Sequence, residues 1–169
     1  MIAVVGFLAI LVALASSVWL VAEGIRASRA TPADPRRLRI PVIGLAAGGV
    51  IAFLALELAI LTHDFTIAYV ASNTAIATPF VFLLAAAWAA LEGSVVLWGL
   101  MLAVFTFLVW RGMKTGDGLG VLALSVMGAV AVFWFGLMAT VANPFAICTE
   151  VGNGICSATS WLPIGNPVG

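Results

Sequence analysis

The sequence predicts an all-α fold, a polytopic membrane helix bundle with four transmembrane helices, and three observations predict it. Of the 169 residues, 64% are hydrophobic and only 8% are charged, and the mean hydropathy is +1.23. Water-soluble domains hold roughly 45–50% apolar and about 25% charged residues, so this chain lacks the polar cover that folding in water requires. Its apolar residues gather into runs close to the roughly 17–25 residues that cross a bilayer. All seven Lys and Arg residues fall between those runs, in two clusters.

The first span covers residues 2–22. No basic residue precedes it, and at about 21 residues it exceeds the 7–15 of a signal-peptide core, so it reads as a retained helix. The second covers 40–62. The third, 94–110, is shorter and fits if its ends thin the bilayer slightly. The fourth covers 119–142. Arg26, Arg29, Arg36, Arg37 and Arg39 lie in the loop 23–39, and Arg111 and Lys114 lie in the loop 111–118. By the positive-inside rule both loops face the cytoplasm, which puts the amino terminus, the loop 63–93 and the tail 143–169 outside.

The run PFVFLLAAAWAAL, residues 79–91, is too short for a fifth span, and drawing one would turn Arg111 and Lys114 outward. It reads as an interfacial or re-entrant helix on the outer side. Trp88 and Trp98 then sit near the outer interface, Trp19 and Trp110 near the inner one, as an aromatic belt does. The proline-bearing ASRATPADPRRLR and the glycine-bearing RGMKTGDGLG read as short inner connections rather than domain boundaries. No internal repeat is visible.

Zero net charge and the lack of a basic stripe argue against a nucleic-acid partner; membrane lipid is the partner that composition implies. Glu57 lies about one turn from the outer end of the second span. It reaches toward headgroups or pairs within the bundle, or else serves a proton or cation relay. Gly44 and Gly48, with Gly49 beside them, allow two helix backbones to approach. Gly120, Gly128 and Gly136 imply close packing without one stripe. His63, the single histidine, is a weak metal-ligand candidate, and a solvated helix-end residue is the simpler reading. Cys148 and Cys156 share the outer tail, where a loop-closing disulfide is favoured over redox chemistry because no Cys-x-x-Cys motif occurs. No metal cluster, phosphate loop or nucleophile elbow is present.

The outer loop reads HDFTIAYVASNTAIATPFVFLLAAAWAALEGSVVLW. Asp64, Phe65, Thr66, Tyr69, Val70, Ala71, Asn73 and Thr74 form its first motif. Trp88, Glu92, Gly93, Ser94, Leu97 and Trp98 form its second, and Asn143-Pro144-Phe145 follows the fourth span. With these residues the chain resembles the CcmF-type, haem-handling cytochrome c biogenesis proteins. Three positions depart from the family pattern: Leu91 stands before Glu92, and Phe80 and Val81 follow the loop proline.

The resemblance implies a part in a haem lyase of the bacterial inner membrane. Such a protein receives haem on the outer face and helps attach it to apocytochrome c, alongside other haem-delivery and maturation subunits. It implies haem as cofactor of the full-length protein or complex, held by histidines in segments that do not occur here. This chain alone is expected to bind no stoichiometric haem. Residues 1–169 are then expected to be the amino-terminal part of a larger haem-handling membrane domain, or one piece of a split one. The family-motif surface Asp64, Tyr69, Asn73, Trp88, Glu92, Gly93, Ser94 and Trp98 is the candidate site.

Physical chemistry supplies a plainer account of the second motif. A carboxylate at Glu92 suits a helix start, where free N–H groups and the positive dipole end meet it. Gly93 allows a bend and Ser94 a cap. On this reading the motif anchors the turn into the third span; on the other, the surface guides haem or apocytochrome. Two further classes compete with a haem-lyase part. One is a small ion-transport or respiratory-complex subunit using Glu57, and the other is a structural membrane scaffold packed through its glycines.

Overall fold

In the computed structural model, which describes residues 1–29, 34–152 and 155–163, each of the four apolar runs is one continuous helix. In chain order the helices are α1 (Ile2–Ser28), α2 (Arg39–Leu61), α3 (Ala68–Asn73), α4 (Phe80–Ala86), α5 (Leu91–Gly112) and α6 (Gly118–Ala139). A 3-10 turn, Pro35–Leu38, precedes α2, and the strands β1 (Ile147–Gly152) and β2 (Ile155–Ser160) follow α6. Helices α1, α5 and α6, and α2 with its preceding turn, are long and apolar enough to cross a membrane. Residues 30–33 of the first basic loop and 164–169 of the tail lie outside the described residues.

Boundaries shift where polar contacts prolong or cut a helix. Helix α1 runs to Ser28 rather than to 22, about 40 Å in all at 1.5 Å per residue. Its extension is amphipathic: Gly24 and Ala27 are buried, while Glu23 pairs with Arg26 at 2.9 Å. Helix α5 starts at Leu91 rather than 94 and ends at Gly112. Helix α6 stops at Ala139 rather than 142. Pro144 lies just beyond, and it disfavours helical backbone at the residue before it. Within 79–90 the chain is α-helical over Phe80–Ala86, and the Ala86 carbonyl at its end accepts from the Tyr69 hydroxyl at 2.8 Å and from Ala89 N–H at 3.3 Å. Phe80, Val81 and Phe82 on α4 are exposed, and Leu83 and Ala86 are buried. That division matches an interfacial helix.

Helices α1 and α5 each pack against both α2 and α6, which closes a four-helix bundle. The small residues do what their spacing predicts. A Cβ at Gly48 would sit 2.7 Å from the Ala9 carbonyl oxygen and 2.9 Å from the Ala13 nitrogen, so α1 and α2 touch backbone to backbone there. Gly44 faces Ser16 of α1, whereas Gly49 faces Ala103 of α5. On α6, Gly128 meets Leu20 and Val21 while Gly136 has nothing within 4 Å, so those glycines share no single face.

Two elements were not anticipated. Helix α3 is one short turn. The tail forms an antiparallel hairpin, pairing Ile147 with Ser160, Cys148 with Thr159 and Val151 with Cys156, and so adds two strands to an otherwise helical chain. Because successive spans alternate in direction, the chain start, residues 62–90 and the hairpin gather at one end, called here the loop end. The 3-10 turn and residues 113–117 lie at the other, the arginine end.

Candidate functional site

The first motif is a turn stitched to the hairpin. The Asp64 carboxylate accepts from the Thr66 backbone N–H at 3.3 Å and from its hydroxyl, a local Asx turn. The Thr66 carbonyl then accepts from Cys148 N–H at 2.9 Å, and Ala68 N–H donates to the Ala146 carbonyl at 2.8 Å. Ile67 bridges Ile147. Asp64 thus shapes the loop.

Tyr69, from α3, is buried beneath the start of α5. Burial raises its phenol above the usual tyrosine value, the Glu92 charge raises it further, and the Ala90 backbone amide partly offsets both. A Cβ on Gly93 would collide with the Tyr69 hydroxyl and the Ala87 carbonyl. Gly93 is therefore not a bend but a contact point, inside the first turn of α5. Ser94 is not the cap either. The N-cap is Ala90, with no side-chain bond, and the Ser94 hydroxyl donates to the Trp88 carbonyl at 3.0 Å. Glu92 does sit in the first turn of α5, where an acid suits the helix dipole.

These elements enclose a pocket of about 370 Å³ at the loop end, lined by Tyr69, Ser72, Asn73, Glu92, Asn143 and Trp161 among others. Asn73 donates to the Tyr69 carbonyl at 2.9 Å. Asn143 accepts from Phe145 N–H at 2.9 Å and donates to the Trp161 carbonyl at 2.7 Å. The Trp161 indole N–H donates to the Thr140 carbonyl at 2.7 Å, and its ring meets Phe7 edge-on at 5.9 Å. Phe145 is fully buried against Gly6. The structure thus brings Tyr69, Asn73 and Glu92 together. Trp88 and Trp98 instead point outward, 46% and 58% exposed.

Trp161 was missed by sequence reasoning. The available signal was Asn153-Gly154 flanked by Glu-Val-Gly and Ile-Cys, a hairpin pattern that would have folded the tail back toward the loop. Within that hairpin Cys148 and Cys156 are joined, with Cα atoms 5.7 Å apart.

His63 lies outside the pocket lining, at the end of α2 and in the left-handed region, φ 52°. Its N–H donates to the Ile60 carbonyl at 3.1 Å and that of Asp64 to the Ala59 carbonyl at 2.9 Å. This is the bond pair of a Schellman cap, where glycine is usual. Its ring meets Phe65 edge-on. Among the described residues, His63 Nε2 and one Glu57 carboxylate oxygen are buried without a hydrogen-bond partner.

No family model matches the chain. It is 36% identical over 96 residues to the cytochrome c-type biogenesis protein CcmF of Pseudomonas fluorescens, covering 56% of this chain and 14% of that protein. It is 38% identical over 97 residues to CcmF of Escherichia coli K12, covering 56% and 15%. A solved structure described as cytochrome c heme lyase CcmF superposes with a TM-score of 0.78 at 38% identity, over 86% of this chain and 25% of that one. In sequence and in fold the chain resembles a fragment of CcmF. It is a multi-pass membrane protein, and it spans about 14–15% of the length of these two curated relatives.

Two departures from the CcmF pattern, Leu91 and the Phe80-Val81 pair, lie on the exposed rim of the loop end and outside the pocket lining. Among the described residues, the lining of this pocket includes no histidine, cysteine or methionine, three of the side chains that serve as haem axial ligands. The pocket itself offers a carboxylate, Glu92, which would repel haem propionates.

Proposed function

We propose that this CcmF-type chain serves cytochrome c biogenesis as the non-ligating platform of a haem lyase in the bacterial inner membrane. The arginine end faces the cytoplasm and the loop end faces outward, as the placement of all seven cations supports. Residues 1–169 act as the amino-terminal part of a larger haem-handling membrane domain. Histidines elsewhere in that domain hold the haem, and further maturation subunits deliver it.

The observation that carries this reading is convergence. Tyr69 and Asn73 of the first motif, Glu92 of the second and Asn143 of the third line one pocket at the loop end. The pocket guides apocytochrome c toward the haem. A carboxylate among amide and aromatic groups suits a peptide, which brings N–H donors and cationic side chains, better than it suits an anionic porphyrin.

Glu92→Ala tests the role in cells that depend on this protein. Unchanged protein level with loss of covalently bound c-type haem supports guidance. Loss of the protein itself would mean that Glu92 only anchors the start of α5. Glu57 lies within α2, away from this pocket, and the proposal gives it no role.

A further inference from the structure

The arginine end holds a second cavity, of about 410 Å³, between the 3-10 turn and the end of α5. Pro35, Arg36, Trp110, Arg111, Met113 and Lys114 line it, with Thr115. Its walls are fixed. Pro35 and Leu38 are buried, and the Trp110 indole N–H donates to the Pro35 carbonyl at 2.8 Å, tying α5 to a turn 75 residues earlier. Met113 packs against the core.

Three cations meet here, and among the described residues none of them forms an ion pair. The acids of this end are already engaged. Glu23 pairs with Arg26, Asp34 accepts from the Arg36 backbone N–H at 2.9 Å, and Asp117 accepts from Gly120 N–H at 2.8 Å as the cap of α6. Three like charges around one cavity repel unless an anion joins them.

The cavity opens where the α5 span ends, beside an interfacial tryptophan. From this geometry we propose that Arg36, Arg111 and Lys114 form a binding site for the phosphodiester headgroup of an anionic membrane phospholipid. The two guanidinium groups supply paired N–H donors to phosphate oxygens. Lys114 adds a point charge. Trp110 and Met113 lie against the glycerol and the first acyl carbons. Basic pockets between membrane helices are suited to such headgroups.

The test uses the full chain purified in detergent. Retained lipid is counted by native mass spectrometry after exposure to phosphatidylglycerol, phosphatidylcholine or inorganic phosphate. The expected result is retention of phosphatidylglycerol and not of phosphatidylcholine. The triple variant Arg36→Gln, Arg111→Gln, Lys114→Gln lowers that retention about 100-fold, at roughly a factor of five per cation. The control triple Arg29→Gln, Arg37→Gln, Arg39→Gln removes equal charge from the same end and leaves retention within about twofold. Equal losses in the two triples would overturn the site in favour of a diffuse basic surface. Displacement of the lipid by millimolar inorganic phosphate would overturn it in favour of a free-anion site. Should the first triple unfold, Arg36→Lys with Arg111→Lys keeps the charge and removes the bidentate geometry, and a loss of about tenfold is expected.

Discussion

The two ends of this bundle are built differently. At the arginine end, seven cations accompany three acids, Glu23, Asp34 and Asp117, and among the described residues the long-range side-chain bond is Trp110 to Pro35. At the loop end, Asp64, Glu92 and Glu150, with Glu57 in the span just below, form an acidic set, and residues far apart in sequence are bonded side chain to backbone. Tyr69 reaches Ala86, Asn143 reaches Trp161, and Trp161 reaches Thr140. One end is two short connections ordered by local caps and charge. The other is a small tertiary structure in its own right, assembled from three segments, and that is where a shaped pocket forms. The lesson is that the motif residues serve mainly to assemble the loop end, and only a few of them are left to face a ligand.

On that contrast, substitutions at the loop end carry large effects and comparable ones at the arginine end small ones. Gly93→Ala has the largest. Its new methyl group meets the Tyr69 hydroxyl and a backbone carbonyl, and a drop in unfolding free energy of about 3 kcal/mol is expected from overpacking. Thermal unfolding in detergent measures it, and a change under about 1 kcal/mol would show that α3 floats free of α5. Asn143→Ala follows, leaving the Trp161 carbonyl and the Phe145 N–H unpaired. About 2 kcal/mol is expected, together with faster proteolysis of the hairpin.

Tyr69 sharpens the comparison through pH. Its folded value is raised by burial and by Glu92, so the folded state holds the proton more tightly than the unfolded one. The stability it contributes is therefore complete below about pH 10, the unfolded value. It is lost as pH rises past that point and through the folded value. Tyr69 is the single tyrosine, so phenolate absorbance reports it alone. In Glu92→Gln the titration shifts to lower pH, and an unmoved curve would separate the two groups.

His63→Gly removes a side chain from left-handed backbone and is expected to stabilise the chain by at most about 1 kcal/mol. A loss of cytochrome c maturation in that more stable variant would instead give the imidazole a function. The smallest effect belongs to the arginine end. Arg36→Gln in detergent without lipid is expected to change stability by less than about 0.5 kcal/mol.

The spans, their order and the two clusters of positive charge were legible in the sequence, because a bilayer reads each helix through its own hydropathy and length. The small residues that bring α1 against α2 were legible for the same local reason: Gly44 and Gly48 recur at helical spacing. The motif residues Tyr69, Asn73 and Glu92 could be named, and so could the cysteines. Their roles could not be assigned. Ser94 was expected to cap a helix that starts three residues earlier. Gly93 was expected to bend a chain that is helical there, and the tail hairpin with Trp161 was not expected at all.

Those features depend on atoms brought together from distant positions. The Ala86 carbonyl at the end of α4 holds the Tyr69 hydroxyl, and Gly93 must be small because that same hydroxyl sits above it. No periodicity or propensity within either segment contains this information. Sequence by itself determined a four-span membrane bundle with its positive charges sorted to one end. Tertiary structure alone decided which motif residues hold the loop end together and which face its pocket, because buried hydrogen bonds must be satisfied across segments rather than within them.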